Sequence, residues 1–289
     1  MLKKRIVGCL TIKDSLVVRS VGFKLYFPVG SPEIAARFLS QWGADEIILL
    51  DISATRRGDG PNHKLIERVS RNCFVPLTVG GGIRTVDDVQ ALLQSGADKV
   101  AINSAAFEKP NLIGDVAGVF GSQCVVATID CLRLDKRAVV YRHVNQQATA
   151  LHPKEHATRL VELGAGEILL NSVDRDGAGK GFDLDLIQEV CGAVTTPVIC
   201  CGGAGRPEHF IEIFSKTRAS AAAAGNFFHF YEHSLTITKS VLLQSEISIR
   251  QDTHATYHDA KTSSDGRLLR QSDSYLEDLL FLRADREEI

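Results

Sequence analysis

The chain has 289 residues, of which 44% are hydrophobic and 24% charged, and its formal net charge is −2. These are ordinary globular values, and near-neutrality gives no general attraction to nucleic acid or to an anionic membrane. No apolar stretch reaches the length needed to span a bilayer. In chain order, short β-branched runs predict strands at Arg5–Leu10, Glu46–Asp51, Pro76–Val79, Lys99–Asn103, Cys124–Asp130, Glu167–Asn171, Pro197–Cys201 and Ala219–Ala223. They read as continuous apolar runs, which suits strands of a parallel sheet buried on both faces. Helical patterns lie between them. Ser31-Pro32 opens one with proline at the first helical position, and Thr85-Val86-Asp87-Asp88 opens another in the manner of a capping box. Asn111, Pro153, Asp185, Pro207 and Ser234 mark further starts. Cys131 to Ala150 interrupts this alternation and predicts a short hairpin over the strand ends, around Ala138 to Arg142.

The chain also repeats itself. Gly43-Ala44-Asp45-Glu46-Ile47-Ile48-Leu49-Leu50 returns from position 164 as Gly-Ala-Gly-Glu-Ile-Leu-Leu, and Gly80-Gly81-Gly82 is echoed by Gly202-Gly203. Eight β/α units in two related halves predict a (β/α)₈ TIM barrel over residues 1–244, with sites that come in pairs. After it, residues 245–289 change composition and form a C-terminal extension. Its Tyr275 to Leu282 piece is apolar, and either a mobile tail or one docked on the barrel or a partner fits that pattern.

The seven cysteines are odd in number, contain no CxxC pair and sit in part in apolar runs, so they read as reduced side chains of a cytoplasmic protein. The histidines show no ligand spacing, and no metal site is expected. The basic start, Met1 to Gly8, has no apolar signal region.

Chemistry gathers at the strand ends. Gly80-Gly81-Gly82 and Asn103-Ser104 end strands 3 and 4; Gly202-Gly203-Ala204-Gly205 and Ala224-Gly225-Asn226 end strands 7 and 8. Glycines let backbone N–H groups approach an anion, so two opposed phosphate sites are one reading and tight turns the other. Asp130 ends strand 5, where a carboxyl is placed for acid–base work. Asp51, Asp174 and Asp176 follow strands 2 and 6. Thr11 holds the position that the repeat pairs with Asp130, and a hydroxyl cannot exchange a proton near pH 7. At the opposite strand ends stand Arg5, Glu46, Lys99 and Glu167, two charges of each sign that can close into a ring.

These residues resemble one family: the cyclase subunit of imidazole glycerol phosphate synthase, from histidine biosynthesis. The resemblance runs from about Met1 to Gln244 and rests on segments such as Phe74 to Arg84, Gly96 to Val100, Asn103 to Ala106, Asp174 to Gly177 and Gly202 to Gly205. It implies a barrel that binds a glutaminase subunit at its base. Ammonia then passes up the barrel centre to a phosphoribulosyl-formimino ribotide held between two phosphate sites. By position, Gly82, Asn103 and Ser104 resemble one phosphate site, and Asp176, Gly177, Gly203 and Ala224 the other. Asp130, with Asp176, takes the catalytic positions; Arg5, Glu46, Lys99 and Glu167 resemble the ammonia gate. Asp98 resembles the glutaminase-facing position and Thr78 a channel-lining one. No cofactor is implied.

Three departures stand out. The family's acid/base aspartate at the end of strand 1 is Thr11 here, its lysine after strand 1 is Arg19, and its threonine at the end of strand 6 is Asn171. Gly60 to Ile66 and Asn72 to Pro76 resemble a divergent subgroup of surface-polysaccharide gene clusters. Its members work with a glutaminase and an N-acetyl-sugar amidotransferase to make acetamidino sugars. The expectation is therefore an ammonia-conducting subunit for sugar amidation. The alternatives are a working cyclase that makes imidazole glycerol phosphate and AICAR, and a non-catalytic glutaminase scaffold.

Overall fold

The computed structural model describes residues 3–230 and 233–250, with positions 261, 263, 269 and 272 beyond them. The chain opens with β1 (Arg5–Lys13), a hairpin of β2 (Leu16–Val21) and β3 (Leu25–Gly30), and α1 (Pro32–Gln41). Next come β4 (Glu46–Asp51), α2 (Ala54–Arg57), α3 (His63–Ser70), β5 (Leu77–Gly80), α4 (Val86–Gln94), β6 (Lys99–Ile102), α5 (Ser104–Glu108) and α6 (Asn111–Phe120). The second half holds β7 (Val125–Leu134), β8 (Arg137–Arg142), β9 (Gln147–Ala148), α7 (Pro153–Glu162), β10 (Glu167–Ser172) and α8 (Leu184–Ala193). It ends with β11 (Val198–Cys201), α9 (Glu208–Lys216), β12 (Ala221–Ala224), α10 (Asn226–Phe230) and α11 (Ser234–Gln244).

Strands β1, β4, β5, β6, β7, β10, β11 and β12 pair in that order, all parallel, and β12 closes back on β1. This is the (β/α)₈ barrel that the repeat predicts. The fold has two apolar bodies. One, between sheet and helices, includes Leu10, Ile47, Ile102, Ile168 and Phe210. The other fills the barrel lumen with Val7, Ile48, Val126, Leu169, Ile199 and Ala221, because inward and outward side chains alternate along each strand.

Local chemistry sets the helix starts. Pro32 stands in the first turn of α1. Thr85 accepts from Asp88 N at 3.1 Å, while the Asp88 carboxylate accepts from Thr85 N at 3.0 Å, so both halves of the capping box form. Thr85→Ala should lower stability by about 1 kcal/mol, read as a shift in the denaturant midpoint with unchanged slope. Helix α8 begins at Leu184, one residue before the expected Asp185, because Asp183 is its cap and accepts from Leu186 N. Helix α3 gave no expected start, although Asn62 caps it by accepting from Leu65 N at 3.1 Å.

Two hairpins rise from the C-terminal ends of the strands. The expected one is β7–β8, joined through Asp135 and Lys136. The other, β1–β2–β3, has no counterpart among the predicted elements; it turns first through Asp14 and Ser15. In both two-residue loops each central residue has positive φ, as a type I′ turn demands. Neither carries the Asn-Gly or Asp-Gly pair that announces such a turn in sequence.

The chain does not leave the barrel at Gln244. Lys4 N donates to Ser248 O at 2.8 Å, a parallel bridge joins Lys4 to Ile249, and Ile249 is buried in the core. The Tyr275–Leu282 piece lies outside the described residues. Among the described residues no helix is long and apolar enough to cross a membrane.

Candidate active site

A cavity of ≈ 470 Å³ opens at the C-terminal ends of the barrel strands, a size suited to a small-molecule ligand. It is lined by both glycine clusters: Gly82, Asn103 and Ser104 on one side, Gly177, Gly203 and Ala224 on the other. The first group follows β5 and β6, the second follows β10, β11 and β12, so the cradles face each other across the mouth. Backbone geometry explains two of the glycines. Gly82 has φ +76°, and a Cβ there would lie 2.8 Å from the Gly60 carbonyl carbon. Gly203 has φ +107°, with the Gly181 oxygen 2.1 Å from the same imagined atom. A side chain fits at neither position.

Between the cradles stands Asp130, 5% exposed on β7. Asn103 Nδ2 donates to its Oδ2 at 2.8 Å, and the Asn171 side chain hydrogen bonds to it from the other neighbouring strand. Burial pushes the Asp130 carboxyl up to about 7, against those two hydrogen bonds and with help from the Asp176 charge. Such a group can hold or release a proton at neutral pH. Thr11 lines the same cavity from β1, four strands away around the eight-strand ring, and thus opposite Asp130.

The other carboxylates divide by what they touch. Asp176 lines the cavity; its Oδ2 accepts from Ser20 Oγ at 2.6 Å and from Phe23 N at 3.2 Å, tying the β2–β3 hairpin over the mouth. Burial raises its pKa, against the hydrogen bonds from Ser20, Phe23 and Gly22. Asp174 accepts from Arg133 N at 2.6 Å and so holds the other hairpin. Asp51 also lines the cavity, but its Oδ1 accepts from Ser53 N and Ala54 N, as in a turn. Arg19 lines the cavity with its guanidinium 5.2 Å from the Phe230 ring centre.

His143 was not among the residues that sequence reasoning singled out. It lines the cavity from beyond β8, edge-on to Phe23 with ring centres 5.5 Å apart. Burial and the nearby Arg56 charge push its pKa down to about 4, so the imidazole is neutral at pH 7. A lone histidine in a loop has no periodicity to mark it; only the turn residues around Gln146 hint at a hairpin there.

At the other end of the lumen the four charged strand starts meet. Arg5 donates to Glu46 at 2.8 Å and to Glu167 at 2.7 Å; Lys99 donates to Glu46 at 3.2 Å and to Glu167 at 2.7 Å. The result is a closed ring of alternating sign. Thr78 Oγ1 adds a bond of 2.7 Å to Glu46, 2% exposed in its side chain. Burial works against the Glu167 charge, but Arg5 and Lys99 hold its pKa below the usual value. Asp98 lies exposed beside this ring, with one carboxylate oxygen accepting from Leu77 N at 2.8 Å. Among the described residues no three His, Cys, Asp or Glu side chains gather as a metal site.

Two opposed glycine-rich turns, a buried carboxyl between them and a charged ring below thus share one barrel. The family model described as "Histidine biosynthesis protein" matches residues 5–234. The imidazole glycerol phosphate synthase subunit HisF of Streptococcus mutans is 45% identical over 251 residues, 86% of this chain and 100% of that protein. Its namesake from Caulobacter vibrioides is 44% identical over 254 residues, 87% of this chain and 98% of that one. The Hydrogenobaculum sp. protein of the same name is 45% identical over 251 residues, with 86% and 100% covered. The chain belongs to the HisF-like cyclase family.

Proposed function

We propose that this chain is the cyclase subunit of an imidazole glycerol phosphate synthase. It receives ammonia from a glutaminase subunit at the barrel base and closes the imidazole ring of a ribotide with phosphate at both ends, yielding imidazole glycerol phosphate and AICAR. The observation that carries this reading is the one cavity that joins both glycine cradles across Asp130. In this reading Gly82, Asn103 and Ser104 hold one phosphate, and Gly177, Gly203 and Ala224 the other, with Asp176 positioning the hairpin beside the second. Backbone N–H groups supply the anion contacts without bringing a competing charge near the reacting atoms. Asp130 takes and returns protons during ring closure, held in place by Asn103 and Asn171. The ring of Arg5, Glu46, Lys99 and Glu167 admits ammonia at the base, and Asp98 faces the glutaminase.

The names of the relatives support the histidine-pathway enzyme over sugar amidation. One observation favours the second reading, an ammonia relay to a sugar amidotransferase: Thr11 stands opposite Asp130 and offers no carboxyl. Purified protein supplied with ammonium salt and the ribotide separates the two. Turnover within about tenfold of a typical ~10 s⁻¹ establishes the cyclase, whereas no turnover, together with stimulation of a glutaminase, establishes the relay. Thr11→Asp is expected to raise cyclase turnover by about tenfold or more, measured as product formed at saturating ribotide. No gain would show that the site does not use a second carboxyl.

A further inference from the structure

Two buried polar atoms beside Asp130 have no role in the site so far. The Thr128 hydroxyl oxygen and the Asn171 side-chain carbonyl oxygen have no hydrogen-bond partner. Both residues are nevertheless more than nine-tenths buried and line the cavity. They stand on adjacent strands, β7 and β10, where Asn171 pairs with Asp130 and Leu169 with Thr128. Thr128 is therefore one inward step below Asp130 and Asn171 directly beside it. Beneath them the lumen is apolar down to the charged ring: Val7, Ile48, Val126, Leu169 and Ile199. Leaving a hydroxyl and a carbonyl unpaired at the top of an apolar shaft is costly unless a ligand uses them.

Their chemistry narrows that ligand. A carbonyl oxygen only accepts, and a threonine hydroxyl accepts or donates, so the complement carries at least two N–H or O–H bonds and is small. The apolar lumen disfavours a charged visitor, since an ion there loses its hydration with no counter-charge to replace it. Ammonia meets these terms, with three N–H bonds and one lone pair. We infer that Thr128 and Asn171 form a receiving site that positions ammonia at the top of the lumen, beside Asp130. The inference rests on the ammonia-fed reading above. It treats both side chains as positioning residues; neither is asked to move a proton.

Thr128→Val keeps the shape and removes the hydroxyl; Thr128→Ser keeps the hydroxyl. With ammonium salt as nitrogen source and the ribotide saturating, Thr128→Val should raise the KM for ammonium about tenfold, the worth of one hydrogen bond. The ribotide KM should stay within twofold, Thr128→Ser should restore the ammonium KM, and the valine variant should melt at or above the wild-type temperature. An unchanged ammonium KM in the valine variant overturns the inference, as does a parallel rise in the ribotide KM. A lower melting temperature with unchanged ammonium KM does the same, because it shows a hydroxyl occupied by structural water. Wild-type protein that turns over no ribotide with ammonium overturns the cyclase reading and this inference with it. Normal wild-type turnover with an indifferent valine variant overturns the inference alone.

Discussion

Asp130→Asn should lower ammonium-dependent turnover by about 10²- to 10⁴-fold while leaving the ribotide KM within a few-fold, because asparagine keeps the shape but not the exchangeable proton. The pH profile carries the second half of the expectation. With its pKa raised by burial to about 7, the Asp130 carboxyl is largely protonated at pH 6 and largely ionised at pH 8. A step in which it takes a proton therefore rises through about pH 7 and levels above it. That limb should vanish in Asp130→Asn. The same shift has a stability consequence. The unfolded carboxyl titrates near ~3.9, so between there and about 7 the native state holds a proton that the unfolded chain has released. Stability from this group is fully present below that window and is lost as pH rises through about 7. Denaturation of the wild type at several pH values reads that loss directly. A pH-independent turnover limb in the wild type would remove Asp130 from the mechanism.

Glu46→Leu should produce the largest loss of stability. The Glu46 carboxylate accepts from Arg5, Lys99 and Thr78, and its side chain is 2% exposed. Removing it leaves two cations to share Glu167, and breaking one side of a buried ion-pair network typically costs about 3–5 kcal/mol. The midpoint of urea denaturation should fall accordingly with the slope unchanged. A midpoint equal to that of the wild type would show that the ring adds little to stability. Coupled to a glutaminase, the same variant should also deliver less ammonia per glutamine hydrolysed.

Much of this architecture was legible in the chain. The barrel was readable because strands buried on both faces leave long apolar runs, and because the repeat around Gly43 and Gly164 orders them. The ring was readable for a related reason: charge at the first position of an apolar strand has to find a counter-charge. The β2–β3 hairpin was not, since its turns use Asp14, Ser15, Gly22 and Phe23, residues that take positive φ without announcing it. Asp51 shows what a strand-end position leaves open. It has the position of a catalytic carboxyl, yet its neighbours Ser53 and Ala54 present N–H groups that claim it for the turn. Thr128 and His143 depend on the inward register of one strand and the packing of one loop, and single residues of that kind leave no pattern.

The bridge between Lys4 and Ile249 carries the fold past its last helix. It stitches Ile249 to the residue before Arg5, on the face where the charged ring closes. Ile249 is thus fixed in the core beside the foot of β1, and the packing around the barrel closes only there. The eight barrel strands end at Ala224, yet a chain cut at Gln244 would bare core surface that Ile249 covers.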